Sequence, residues 1–232
     1  MTTPGGELKL FSGNSTRQVF AELLPEFERA AGIRVTPIYD PAEIVLERVA
    51  KGESADLAML GQAAIDKLAA QGKIAPESRR TIARCGVGVG VLSGAPKPDV
   101  STVDAFRRAL LEAKSIAHTS HGASGIHFSK VAERLGIADQ VRAKAVTNPG
   151  GLIGEVVVAG RAELAIQQIP ELMAVPGIDL VGPLPQECQN ISVLTAGIFK
   201  SSRQAAAARA LLEFLATPAS ARVFRAKGLE PA

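Results

Sequence analysis

Tryptophan is absent from this 232-residue chain, tyrosine occurs once, and aromatic residues make up only 4% of it. With so few rings to stack on bases and a net charge of only +3, no nucleic-acid partner is expected. The basic residues that do cluster, Arg79, Arg80 and Arg84, read as a solvated face. Long apolar runs are missing too. Nothing approaches the roughly 18–20 consecutive apolar residues of a membrane span, so no membrane insertion is expected. The opening Met1-Thr2-Thr3-Pro4-Gly5-Gly6-Glu7 has neither the basic nor the apolar segment of a signal peptide. As it stands the chain is expected in the cytoplasm, or in the periplasm if a signal peptide was removed and a start Met put in its place. Two cysteines, Cys85 and Cys188, leave open whether they pair or stay reduced. The three histidines, His118, His121 and His127, fall within one short stretch. A strand end, a loop and a helix start would have to converge to make them a metal site, and no Cys or carboxylate stands nearby at ligand spacing. No metal and no cofactor is expected. Internal repeats, low-complexity tracts and heptad seams are also lacking.

What is present is strand-helix alternation along almost the whole chain. Leu8–Phe11 reads as a strand, followed by a helical stripe of Val19, Phe20, Leu23, Leu24 and Phe27 that Gly32 closes. Residues 33–38 and Asp56–Leu60 read as further strands. Between them Asp40-Pro41-Ala42-Glu43 reads as a helix start with an acidic N-cap, Pro at N1 and Glu at N3. Two long β-branched runs, 84–93 and 190–199, enclose a middle segment with its own alternation. Within that segment lie predicted strands at 115–118, 144–147, 163–167 and 178–181, and helices at 103–113, 126–135 and 152–159. The pattern predicts an α/β fold of two lobes, each a mainly parallel sheet flanked by helices with a ligand cleft between them. Residues 1–84 and 194–232 form the first lobe and 85–193 the second.

Three polar, glycine-containing loops each open a predicted helix. They are Ser12-Gly13-Asn14-Ser15-Thr16, residues 119–125 (Thr-Ser-His-Gly-Ala-Ser-Gly) and Asn148-Pro149-Gly150-Gly151. A helix N-terminus presents unpaired N–H groups and roughly +0.5 of a charge, so each loop is a potential anion cradle. Ser12, Asn14, Ser15, Thr119, Ser120 and Ser124 add neutral donors. Arg17 and His121 are candidate partners for a ligand carboxylate, and Gly151 allows close backbone approach. Gly122-Ala123-Ser124-Gly125-Ile126 lacks the last glycine of a nucleophile elbow, and no acid and base can be paired with it, so a serine hydrolase is set aside. Gly86-Val87-Gly88-Val89-Gly90 lacks dinucleotide-fingerprint spacing and reads as a crossing strand with close packing or a bend.

On these loops the chain resembles the type II periplasmic solute-binding proteins, and within them the molybdate-binding branch, from about Leu8 to Leu229. Leu10-Phe11-Ser12-Gly13-Asn14-Ser15 is similar to that family's opening strand and serine loop. Gly52-Glu53-Ser54-Ala55-Asp56-Leu57 matches its Ala-Asp-Leu strand start, and Ala123-Ser124-Gly125 its second-lobe helix start. Pro218, Phe224 and Gly228 match its C-terminal pattern. The resemblance implies a periplasmic-binding-protein type II fold that closes on a small oxyanion or carboxylate, a monomer, and a partner in an ABC transporter permease. It places ligand contacts at Ser15, Ser124, Leu152 and Gln168. Two departures stand out: the family's second serine cluster falls on Pro41-Ala42-Glu43, and its ligand-contacting tyrosine aligns with Gln168. With Asp40 and Glu43 close by, a dianion such as molybdate is expected to be repelled and to bind weakly. Aconitate isomerase resembles the same branch, which implies the alternative of an isomerase for a small di- or tricarboxylate. Its acid/base candidates would be Asp40, Glu43 and His118.

Overall fold

The chain opens with β1 (Glu7–Ser12), which leads through a short 3-10 turn into α1 (Arg17–Ala31). The computed structural model describes residues 6–232. The predicted stripe of Val19, Phe20, Leu23, Leu24 and Phe27 is the buried face of α1, and Gly32 ends the helix at φ +68°, a left-handed value that glycine adopts without cost. β2 (Arg34–Tyr39), α2 (Ala42–Ala50), β3 (Leu57–Gly61) and α3 (Gln62–Ala70) follow. Next come β4 (Arg80–Cys85) and β5 (Val87–Leu92), then α4 (Val103–Glu112), β6 (Ile116–Thr119), α5 (Ala123–Arg134) and α6 (Ala138–Arg142). β7 (Ala145–Asn148), α7 (Gly154–Val158), β8 (Leu164–Gln168), α8 (Ile169–Met173) and β9 (Ile178–Pro183) complete the middle of the chain. β10 (Ser192–Ile198), α9 (Ala205–Leu215), α10 (Pro218–Ala226) and β11 (Glu230–Pro231) end it.

Contacts divide the chain into two units, one ending at Arg84 and resuming over Ser192–Ala232, the other Cys85–Ile191. In the first unit the strand order is β11-β4-β10-β3-β1-β2, and in the second β7-β6-β8-β5-β9. Each sheet has a parallel trio: β2-β1-β3 in the first and β7-β6-β8 in the second. The expectation of mainly parallel sheets holds for these trios and is corrected elsewhere. β10 runs antiparallel to β3, β11 to β4, and β5 to both β8 and β9. The reason is connectivity, because β5 and β10 are the strands by which the chain enters the second unit and re-enters the first.

The long run expected at 84–93 is therefore two strands, separated at Gly86. Here the Gln189 carboxamide takes both backbone groups of Val87, accepting from its N–H at 2.8 Å and donating to its carbonyl at 2.9 Å. Gly88 packs so tightly that a Cβ would sit 2.8 Å from Ile169 and 3.0 Å from the Gly182 carbonyl, the close approach expected of a glycine inside a strand. The second unit's sheet has an apolar layer on each face. One is built on Phe106, Leu110, Ile116, Phe128 and Ile166, the other on Ala117, Ile153, Val156, Ala165 and Leu172. In the first unit, Phe11, Val45, Ala58, Ile65 and Ile74 pack as a cluster.

Candidate functional site

In a parallel trio all strands point the same way, so their carboxyl ends gather the following loops along one edge, where ligands of open α/β sheets bind. In the first unit this edge carries Ser12, Tyr39 and Gly61; in the second it carries Thr119, Asn148 and Gln168.

At the first unit's edge Ser12 is fully buried. Its hydroxyl lies 2.7 Å from that of Thr16 and 3.3 Å from the Met59 carbonyl, so it holds the loop rather than offering itself to a ligand. Ser15 is 4% exposed. Arg17 is the first residue of α1. Its guanidinium lies 4.4 Å from the centroid of Tyr39 and donates to Asn14 Oδ1 at 3.1 Å. Burial pushes the Tyr39 phenol up to about 12, against the opposing pull of Arg17, so it stays a neutral donor.

The acidic helix start departs from expectation. α2 has Pro41 as its N-cap and no side chain caps it. The Asp40 N–H donates to the Ser12 carbonyl at 3.0 Å, prolonging the β1–β2 pairing and keeping Asp40 out of cap geometry. Its carboxylate pairs with Arg48, which also takes Glu53 at 2.6 and 2.8 Å. Hydrogen bonds from Arg48 and then Lys9 hold Glu53 down at about 2. Asp40 is thus a neutralised charge, and Glu43 is exposed on α2.

At the second unit's edge Thr119 is 2% exposed, and its Oγ1 is buried without a hydrogen-bond partner. It lies under the start of α5, whose N-cap is Gly122 with no side-chain cap. A Cβ on Gly125 would fall 1.8 Å from the Thr119 carbonyl oxygen and 2.6 Å from Oγ1, so only glycine lets the helix start come this close. α5 begins at Ala123, three residues before the apolar pattern suggested, and Ser124 lies buried in its first turn. Ser120 and His121 are exposed and bonded to each other at 2.9 Å, with the Ser120 amide donating to the Asn148 carbonyl.

The third loop differs from expectation in its helix. α7 starts at Gly154 and has five residues, too few to act as a helix-end cradle. Gly151 takes φ +88°, and Gln167 clasps the turn: its Oε1 accepts from Ile153 N–H and its Nε2 donates to the Gly151 carbonyl, both at 2.7 Å. Leu152 is held between them. Gln168 is buried and accepts a long contact from the Cys85 thiol at 3.5 Å. Cys85 and Cys188 are both buried free thiols.

The histidines do not converge. His118 is buried edge-on against Phe128, and its Nδ1 donates to the Thr119 carbonyl at 3.0 Å, leaving Nε2 as the acceptor; burial lowers its pKa. His127 donates from Nε2 to the Cys188 carbonyl at 2.8 Å. Among the described residues no group of three or more His, Cys, Asp or Glu side chains could hold a metal.

Four residues at these edges escaped sequence reasoning: Tyr39, Arg48, Gln167 and Glu171. Glu171 lies in the first turn of α8, just past the end of β8. It accepts a hydrogen bond from Gln167, and desolvation lifts its carboxyl to about 8. The sequence signal was Ile169-Pro170-Glu171, a Pro and an acid at a helix start directly after a strand.

Strand-end loops rich in neutral donors thus occur on both α/β units. The chain belongs to the family of bacterial extracellular solute-binding proteins, which it matches over residues 8–230. It is 35% identical to an aconitate isomerase from a Pseudomonas species over 98% of this chain and 89% of that protein. The periplasmic molybdate-binding protein of Azotobacter vinelandii superposes with a TM-score of 0.81 at 20% identity, covering 96% of this chain and 98% of the other. The sulfate-binding protein of Mycobacterium tuberculosis gives 0.76 at 16%, covering 98% and 87%. These structural likenesses establish the two-unit α/β fold of the periplasmic binding proteins.

Proposed function

We propose that this chain binds a small oxyanion or carboxylate as the solute-binding protein of an ABC transporter. The observation that carries this reading is the orphaned Thr119 hydroxyl beneath the uncapped start of α5. A buried hydroxyl without a partner costs about 1–3 kcal/mol, and an incoming acceptor oxygen relieves that cost. The α5 amides, Ser120, Ser124 and the Gly151–Leu152 turn supply further donors from the second unit. The first unit's own strand-end edge carries Asn14, Ser15 and Arg17 as candidate donors. The bound molecule is an anion because the donors are N–H and O–H groups, while at the first unit's edge Asp40 is already paired with Arg48. That pairing removes the charge repulsion by Asp40 expected from the sequence. What still counts against molybdate is the absent hydroxyl at Ala42 and Gln168 in place of a phenol.

The 35% identity to an aconitate isomerase supports a second reading, isomerisation of a small di- or tricarboxylate on the same scaffold. One thermal-shift and calorimetry panel of molybdate, sulfate, citrate and the two aconitate isomers tests the first reading. At least one anion should raise the melting temperature, with the carboxylates ahead of molybdate. A panel without any shift overturns anion binding, and submicromolar molybdate affinity overturns the preference for carboxylates.

A further inference from the structure

We propose that the Glu171 carboxyl is the proton-transfer group of the second unit's strand-end site, taking a proton from, and returning it to, a carbon beside a carboxylate of the bound ligand. This rests on the isomerase reading above. The placement comes first. Glu171 follows the carboxyl end of β8 by one helical turn, on the edge that also carries Thr119 and Asn148. Its neighbours Pro170 and Leu172 are buried, while Glu171 itself keeps contact with solvent. Gln167 hydrogen-bonds the carboxyl and, through the same amide, grips the Gly151–Ile153 turn, so the carboxyl is tied to a loop assigned to the ligand.

The surroundings suit a group that must both hold and release a proton. No lysine or arginine pairs with Glu171 among the described residues, and desolvation lifts it towards the pH at which it would work. Its titratable neighbour is Cys85, whose own thiol burial pushes up to about 12, so the thiol stays neutral and adds no competing charge. The candidates taken from the sequence fit less well. Asp40 is held by Arg48, Glu43 is exposed on α2, and the His118 ring is buried against Phe128.

The chemistry closes without a co-reactant. The Glu171 carboxylate takes a proton from a CH2 that stands between a carboxylate and a carbon–carbon double bond. The electron pair of that C–H bond spreads over the three-carbon allylic unit, where the α5 amides and the Thr119 hydroxyl offset the added negative charge. The carboxyl then returns the proton to the far carbon, so the double bond has moved and Glu171 is regenerated.

The test uses the full chain with cis- and trans-aconitate in deuterated water, followed by proton NMR, with calorimetry on the same ligands. The native protein should interconvert the isomers and wash solvent deuterium into the CH2. Glu171→Gln should lose about a hundredfold or more of that rate while its Kd stays within a few-fold, and Glu171→Asp should restore part of it. The native rate should rise with a limb near pH 8, and this limb should move in Glu171→Asp. Full turnover in Glu171→Gln overturns the role of Glu171 and leaves the isomerase reading standing. If the native protein gives neither deuterium wash-in nor interconversion, both fall. Should Glu171→Gln fail to fold, a native pH profile flat from about 6.5 to 9.5 still overturns the proposal.

Discussion

Thr119 and Gly125 form the tightest contact at the candidate site, and opposite substitutions there separate stability from function. Thr119→Val replaces an unpartnered buried hydroxyl with a methyl of the same shape. It should stabilise the ligand-free protein by about 1 kcal/mol in denaturant unfolding while weakening anion affinity. If affinity is unchanged, the orphaned hydroxyl is not a ligand contact. Gly125→Ala should act the other way, costing about 1–3 kcal/mol or more, because the new Cβ meets backbone that cannot yield without moving the start of α5. At this scale the sequence revealed residue types but not their occupancy. Ser12, Ser15 and Thr119 look alike as small polar residues after a strand. Only the fold shows that Ser12 is bonded internally while the Thr119 hydroxyl is not.

Among the elements, α8 is the one whose behaviour should change most with pH. Folded, Glu171 holds its proton up to about pH 8; unfolded, it ionises near its ordinary value of 4.5. The folded chain therefore binds the extra proton between these limits. Its contribution to stability is full below about pH 4.5 and is lost as the pH rises through 8. Urea unfolding at pH 5 and pH 8.5 should show the native chain losing stability relative to Glu171→Gln, and equal losses would mean that the carboxyl ionises normally in the fold. Glu53 carries the opposite sign. Held at about 2, it favours the folded state above its ordinary value of 4.5 and loses that effect as the pH falls towards 2, so the gap between native and Arg48→Gln should narrow over that range.

Long elements with a full apolar period, such as α1, were legible in the sequence, because the stripe that defines the helix is also the face it buries. Short ones were not. α8 has five residues, less than two turns, too short for an apolar period, and its one sequence signal was the Pro and acid at Ile169-Pro170-Glu171. At Asp40-Pro41-Ala42-Glu43 the local signal for a capping box was present, but a distant arginine and a backbone bond to Ser12 outweighed it.

For the molecule as a whole, an anion at about 100 times its Kd should add about 2.7 kcal/mol to stability by mass action. If donors from both units hold the ligand, Ser15→Ala and Thr119→Val should each weaken binding measurably in calorimetry, by up to about tenfold for one neutral hydrogen bond. An effect confined to one of the two variants would assign the ligand to a single unit. The alternation of strands and helices announced the α/β class in advance, since each βαβ step leaves its own periodic signature. The antiparallel partners β5 and β10 left no such trace, because a strand's direction is set by where the chain goes next and not by its own residues.

The Gln189 clasp on Val87 also bears on how such a molecule is assembled. The carboxamide stands in for a peptide group, so the last residues of the second unit bond to its first ones as a neighbouring strand would. A cut at each crossing would thus leave a segment, 85–191, whose two ends are already sewn together.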